Sequence, residues 1–179
     1  MDYKNKHTYI LFAILLAMFA IVAFTYHQNS SMSTNTATSS AEIPGSCGNY
    51  QKGTVMIGTT TISVDISNTE CKRVLGLSGR NLLADGTGMI FIFDVASYYP
   101  FWMQDMNFPL DMVWVGSDFV VTGIAKNVSL DTFNAKNPSL SQTFGGQYLA
   151  EYVLELPAGF TDAKNIQVGN KISFSEKAL

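Results

Sequence analysis

Histidine is almost absent from the chain. Two of its 179 residues are histidine, His7 and His27, and both stand near the beginning. Residues 28–179 therefore contain neither a Ser–His–Asp nor a Cys–His catalytic centre, and no His-Glu-x-x-His zinc site. The two cysteines are too few for a four-ligand zinc site. Carboxylate or lysine chemistry, cation binding by oxygen atoms and no chemistry at all remain open. We expect no metal and no cofactor.

Charged residues are also scarce. They make up 14% of the chain, and the formal net charge is −3. An ordinary globular protein has about a quarter of its residues charged. This composition disfavours a charge-rich disordered chain, a coiled coil and a basic nucleic-acid-binding protein. We therefore expect no nucleic-acid partner.

One long segment lacks charge altogether. Residues 8–26 are apolar enough for a helix of about 18 residues, which spans roughly 27 Å and crosses the hydrocarbon core. Lys4 and Lys6 precede it, so the positive-inside rule places residues 1–7 in the cytoplasm and the rest outside. The sequence thus predicts a single-pass anchor in the cytoplasmic membrane. A cleaved signal is the alternative, although the segment is long for one and no small-x-small cleavage site follows.

Residues 27–46 are predicted to be a flexible linker. Ten of the fourteen residues from 28 to 41 are Ser, Thr or Asn. Such a stretch buries too little apolar surface to offset its loss of conformational entropy. We expect the ordered, extracytoplasmic domain over residues 47–179.

Hydrophobic periodicity in this domain indicates more strands than helices. Alternation and buried apolar runs predict strands over 54–57, 60–66, 88–94, 112–115, 119–124, 148–156 and 171–174. Ser67-Asn68-Thr69-Glu70 reads as a capping box that begins a helix, and Gly76 is placed to end it. One further helical turn is predicted within 158–164. The domain is therefore expected to be mainly β (α+β).

Cys47 and Cys71 are the only cysteines. Both lie in the part of the chain predicted to be exported, where disulfides persist. A bond between them would close a loop of about 25 residues and stabilise the domain by roughly 3.5 kcal/mol. The alternative is that Cys71 is an apolar residue on the inner face of its helix.

Several short motifs carry a resemblance to a known family. They are Arg73-Val-Leu-Gly-Leu-Ser-Gly-Arg80, Gly88-Met-Ile-Phe91, Phe101-Trp-Met103, Pro109-Leu-Asp111 with Trp114, and Tyr152-Val-Leu-Glu-Leu156 with Gly159. In this order the chain resembles the prokaryotic "domain of unknown function 192" family. The resemblance implies a compact, mostly β domain, often behind a signal or anchor, with no established reaction. With the strand pattern, it predicts a β-barrel-like or β-sandwich domain with one or two short helices.

Three positions depart from that family's pattern. Ser78 stands where methionine is usual, Asp105 where asparagine follows Trp-Met, and Gly169-Asn170 where Gly-Asp is found. A role that the family's residues have at these positions does not carry over directly.

The segment from 101 to 111 combines aromatic and acidic side chains. Asp111 is flanked by apolar residues, so we expect it to be partly buried and to need a partner, for which Arg80 is the better of two arginines. The pair either locks a loop to a strand or, with Trp102 and Asp105, lines a polar cleft that binds a ligand. A catalytic carboxylate pair is a third interpretation.

Two further groups have alternative interpretations. The aromatic residues within 98–102 are either core or a stacking platform for sugar rings or peptides. Glu151 and Glu155 share one face of a strand, either as a solvated face or as a cation site with Asp111.

The sequence therefore predicts a membrane-tethered extracytoplasmic domain that binds a ligand or partner in the cell envelope without catalysis. Its partner would be a small molecule, glycan or protein of the cell envelope. The alternatives are a carboxylate-based hydrolase of envelope polysaccharide and a purely structural envelope protein.

Overall fold

The computed structural model of the protein describes residues 47–176. The predicted cytoplasmic segment (1–7), anchor (8–26) and linker (27–46) lie outside the described residues. Within 47–176, no helix has both the length and the apolarity that crossing a membrane requires.

Seven strands and two short α-helices make up the described part of the chain. In chain order they are β1 (Gln51–Ile57), β2 (Thr60–Ser67), α1 (Glu70–Leu75), β3 (Thr87–Tyr98), β4 (Leu110–Val115), β5 (Val121–Val128), β6 (Leu149–Pro157), α2 (Phe160–Ala163) and β7 (Ile172–Glu176). Two 3-10 turns, Leu130–Thr132 and Pro138–Leu140, precede β6. The predicted strands and the first helix are all present, with bounds shifted by a few residues.

The strands form one sheet in the order β5-β4-β6-β3-β2-β1-β7. Strands β2 and β3 pair in parallel, with α1 in their connection, and the other neighbours pair antiparallel. The sheet does not close, although an isolated bridge joins Val120, before β5, to Lys171, before β7. The predicted mainly β domain with short helices is confirmed, whereas one open sheet replaces the predicted barrel-like or sandwich arrangement.

Both faces of the central strands are buried. Val113 and Val115 of β4 belong to a first core, which α2 covers with Phe160. Met112 and Trp114, which alternate with them, belong to a second core on the opposite face. The connections 76–86, 99–109 and 129–148 pack onto this second core through residues such as Leu77, Leu83, Met103, Phe108, Phe133 and Phe144. All six residues of β4 are buried as a result.

The first helix begins later than the capping box predicts. Thr69 is its N-cap, and the Thr69 side chain accepts a hydrogen bond from the Lys72 backbone N–H at 3.3 Å. Ser67 is instead the last residue of β2, where it pairs with Phe91 and has a buried hydroxyl with no partner in the described part of the chain. Gly76 ends the helix with φ of 52°, a conformation that glycine adopts without steric cost.

A disulfide bond joins Cys47 to Cys71. It fastens the first described residue to α1, across a sequence separation of 24 residues. By the chain-entropy argument this cross-link stabilises the domain by about 3.5 kcal/mol.

Candidate functional site

Asp111 is a completely buried carboxylate with four hydrogen-bond donors. Its Oδ1 accepts from the backbone N–H groups of Asn127 at 2.7 Å and Gly159 at 3.1 Å. Its Oδ2 accepts from the Thr161 backbone N–H at 2.8 Å and the Thr161 hydroxyl at 2.6 Å. The carboxylate therefore ties the end of β5 and the turn into α2 to β4, and its acceptor sites are filled.

Arg80 does not pair with Asp111. Its Nη1 donates to Asp65 Oδ2 of β2 at 2.8 Å, and its guanidinium lies 5.2 Å from the centroid of the Tyr50 ring. Lys52 pairs with the other oxygen of the same Asp65. The prediction of an Arg80–Asp111 pair was wrong, but Arg80 does lock a loop to a strand.

Asp111 also lies on the wrong face of the sheet to line a cleft with Trp102 and Asp105, as one interpretation of the sequence predicted. Its neighbours Leu110 and Met112 belong to the second core, so Asp111 points towards the first core and α2. Glu155 alternates with Leu154 and Leu156 of the first core and so points the other way. The two carboxylates cannot form the cation site that was one interpretation of the sequence.

A large cleft opens beside the second core. Its volume is about 940 Å³, and its walls come from α1, β3 and the connection 99–106. Trp102 and Asp105 both line it and are both exposed, with 55% of Trp102 accessible. The structure thus brings together two of the four predicted site residues, while Arg80 lies beyond the lining residues and Asp111 on the opposite face. The Cys47–Cys71 disulfide borders the same cleft.

Aromatic rings form much of the cleft wall. Phe93 and Tyr99 stack with centroids 3.6 Å apart, and Phe91 meets Phe101 edge to face at 4.9 Å. Phe101 packs against the second core, whereas Trp102 is largely exposed. The aromatic segment therefore divides between the two interpretations of the sequence, with part of it in the core and part available for contact.

Glu155, for which the sequence offered a solvated face or a cation site with Asp111, is a buried carboxyl that lines the cleft. Its residue is 5% exposed, and its Oε2 has no hydrogen-bond partner among residues 47–176. Its neighbours on the adjoining strands are Met89 of β3 and Met112 of β4. Burial raises the pKa of Glu155 to about 8, and the positive charge of Arg80 opposes that rise.

The predicted solvated face of β6 is correct at one end only. Glu151 is partly exposed, and its Oε1 accepts from the Tyr152 hydroxyl at 3.2 Å. Glu155, four residues on, is covered because the connections before β4 close over that end of the strand. A usable signal was Val153, an apolar residue on the same face between the two glutamates.

Tyr50 connects the neighbourhood of Glu155 to Arg80. Its hydroxyl donates to the Gly76 carbonyl at 3.3 Å, and Lys72 lies 5.5 Å from its ring centroid. Burial raises the pKa of Tyr50, while Arg80 lowers it. The phenol is therefore neutral near pH 7.

The remaining charged side chains that line the cleft are Arg73, Glu70 and Asp105. Arg73 is engaged, since its Nη1 donates to the Ile92 carbonyl at 2.9 Å and its guanidinium lies 5.4 Å from the Phe93 ring centroid. Glu70 and Asp105 are exposed at the rim. Within the described range, no group of three or more His, Cys, Asp or Glu residues is arranged to hold a metal ion.

The fold and cleft define a mainly β domain with one open sheet and a ligand-sized aromatic cleft. The DUF192 family, described as "Uncharacterized ACR", matches residues 53–174, and the chain belongs to this family. No curated protein matches the chain.

Two solved structures share the fold. One, from Sinorhizobium meliloti 1021, is provisionally described as a transcription regulator; it has a TM-score of 0.60 at 23% identity and covers 71% of this chain and 96% of its own. The other is a protein of unknown function from Novosphingobium aromaticivorans DSM 12444, with a TM-score of 0.57 at 27% identity, covering 68% of this chain and 83% of its own. These two structures are similar to this chain in fold, and neither comparison indicates an activity for it.

Proposed function

We propose that this protein is a membrane-tethered, extracytoplasmic binding domain that holds a small ligand of the cell envelope in its aromatic cleft. One observation carries the binding function: Glu155 Oε2 is a buried polar atom beside the cleft with no partner in the described part of the chain. Leaving such an atom unsatisfied costs about 1–3 kcal/mol. A ligand that bonds to it would remove that cost.

The form of the cleft supports the same function. A volume of about 940 Å³ falls within the range of small-molecule sites, which are mostly apolar with a few polar groups. Trp102 is 55% exposed, and an indole left open to solvent beside such a cleft is suited to cover a bound ligand.

The tether is proposed from residues 1–46 of the sequence. The apolar segment 8–26, with Lys4 and Lys6 on one side, is typical of a single-pass anchor that leaves the following domain outside the cytoplasm. The disulfide between Cys47 and Cys71 is consistent with an oxidising compartment.

The topology is tested with a C-terminal tag on the full chain in a bacterial host. An impermeant protease added to intact spheroplasts is expected to remove the tag, and the protein should stay with the membrane pellet after an alkaline wash. A cytoplasmic marker protein serves as the control and should survive. A tag that is digested only after lysis would overturn the extracytoplasmic location.

Ligand binding is tested with the full chain in lipid nanodiscs against muropeptides, N-acetylglucosamine oligomers and small amines. A ligand at ten times its Kd is expected to raise the Tm by about 5 °C and to change the emission of Trp102. Trp114 is completely buried and contributes little to such a change.

Substitution of Trp102 by alanine should weaken binding by at least tenfold, because the aromatic contact is lost. Leu140→Ala provides a matched control, since Leu140 is 69% exposed and lies outside the cleft. Equal binding by wild type and Trp102→Ala, or no Tm shift with any member of the panel, would contradict the proposal.

A carboxylate-based hydrolase is the second candidate, and one observation favours it. Asp105 and Glu155 line the same cleft, one exposed and one buried with a pKa raised to about 8. Glycoside hydrolysis uses two carboxyl groups, one of which acts as a general acid with a raised pKa. Release of new reducing ends from the glycan members of the panel, lost in both Asp105→Asn and Glu155→Gln, would establish catalysis in place of binding alone.

A further inference from the structure

Carboxyl groups predominate among the ionisable side chains of the cleft. Its lining side chains include three carboxyls, Glu70, Asp105 and Glu155, and one arginine. That arginine, Arg73, already donates to a backbone carbonyl and lies against Phe93. Among the described residues that line the cleft there is no lysine. The electrostatic environment therefore favours a positively charged ligand over an anion.

Glu155 provides a specific anchor for that charge. Its carboxyl is buried beside the cleft with one oxygen unpartnered in the described part of the chain. Charged and titratable side chains from several elements surround this carboxyl. They are Tyr50 before β1, Lys52 on β1, Asp65 on β2, Glu70, Lys72 and Arg73 on α1, Arg80 after α1, and Asp105 before β4. Arg80, the charged group that acts on Glu155, is held by Asp65 and does not neutralise it.

The side chains that line the cleft favour one class of ligand over two others. A metal ion would need several oxygen ligands, whereas one buried carboxyl stands here among aromatic and aliphatic side chains. A sugar would direct hydroxyl groups at Phe91, Phe101 and Leu77, which offer no side-chain partner. An organic ammonium ion matches both features, because its head pairs with a carboxylate and its body contacts aromatic rings.

We propose that the cleft binds a soluble organic ammonium ion, with its charged head on the Glu155 carboxylate and its apolar body against the aromatic wall. This inference rests on the proposed binding function and names the chemical class of its ligand. The Phe93–Tyr99 stack and Trp102 supply the aromatic contacts. Glu70 and Asp105 at the rim attract the cation over a longer range.

Binding is then coupled to proton release. Because burial raises the pKa of Glu155 to about 8, the carboxyl is mostly protonated at pH 6 and half ionised at pH 8 in the empty cleft. The ammonium ion binds the ionised form, so its affinity should rise about 50-fold between pH 6 and pH 8 and then level off.

The test uses 2-phenylethylammonium and its neutral analogue 2-phenylethanol as probes, with the full chain in nanodiscs and calorimetry at pH 6, 7 and 8. The ammonium ion is expected to bind, to tighten as the pH rises and to release about one proton at pH 6. Glu155→Gln, which keeps the size of the side chain, should abolish its binding. Asp105→Asn should weaken it only about threefold, and that difference should vanish at high salt.

The outcomes separate this inference from the function on which it rests. If 2-phenylethanol binds as well as the ammonium ion, the cleft binds ligands but the cationic class is wrong. An affinity of the ammonium ion that is independent of pH would show that a protonated, buried Glu155 is not its anchor. Binding of the ammonium ion by Glu155→Gln with wild-type affinity would equally overturn it. If glycans or muropeptides bind and neither probe does, the inference fails and the proposed function stands; if nothing binds, both fail.

Discussion

Replacement of Asp111 by alanine is expected to lower the free energy of unfolding by about 3–5 kcal/mol, because several buried hydrogen-bond donors lose their acceptor at about 1–3 kcal/mol each. The substitution leaves the N–H groups of Asn127, Gly159 and Thr161 and the Thr161 hydroxyl without their acceptor. Each of these bonds has a charged acceptor, which makes it stronger than a bond between neutral groups. Asp111→Asn should recover little, since its amide group brings a donor to a site where only donors converge.

Urea unfolding of the full chain in nanodiscs, followed by far-UV circular dichroism, measures the difference. Asp105→Ala is the control and should change the free energy of unfolding by less than about 0.5 kcal/mol, because Asp105 is exposed. Thr161→Val removes one donor and should cost about 1–2 kcal/mol, which keeps the test decisive if Asp111→Ala does not fold. Losses below 1 kcal/mol in both Asp111 variants would contradict this account of the residue.

Glu155 is expected to make the domain less stable as the pH rises. Its pKa is about 8 in the folded protein against 4.5 for an unperturbed glutamate, so the native state holds an extra proton between these values. Stability contributed by that proton is complete below about pH 4.5 and is lost as the pH rises through 8. The total loss is on the order of 5 kcal/mol.

The measurement compares the pH dependence of unfolding in wild type and Glu155→Gln between pH 5 and pH 9. The variant cannot ionise at this position and should lose most of the downward slope, ending more stable than wild type at pH 9. Glu151→Gln is a matched control on the same strand, partly exposed, and should keep the wild-type profile. Parallel profiles for wild type and Glu155→Gln would show that the pKa of Glu155 is not raised in the folded protein.

The two carboxylates illustrate what local sequence can and cannot predict. The apolar flanks of Asp111 correctly indicated a buried carboxylate that needs a partner. Its actual donors lie 16, 48 and 50 residues away, at the end of β5 and the turn into α2. Such contacts depend on strand order, which local sequence does not contain. The sequence therefore favoured a charged partner, Arg80, and Arg80 pairs with Asp65 instead.

For Glu155 the sequence predicted the face of the strand correctly but not its burial. Alternation along β6 correctly placed it on one face with Val153, but it does not say which face other segments cover. The connections before β4 bury that face through Leu77 and Met103, and they leave Glu151 partly open at the other end of the strand. The cleft exists only because these connections and α1 come together over β3.

By itself the sequence determined the position of the strands and the first helix, the termination at Gly76 and the exclusion of histidine-based chemistry. These follow from side-chain periodicity, backbone preference and composition, which act over a few residues or over the chain as a whole. Only the tertiary structure decided the strand order, the donors of Asp111 and the burial of Glu155. Those features arise from packing between residues far apart in the chain, where the burial of a polar group depends on which segment covers it.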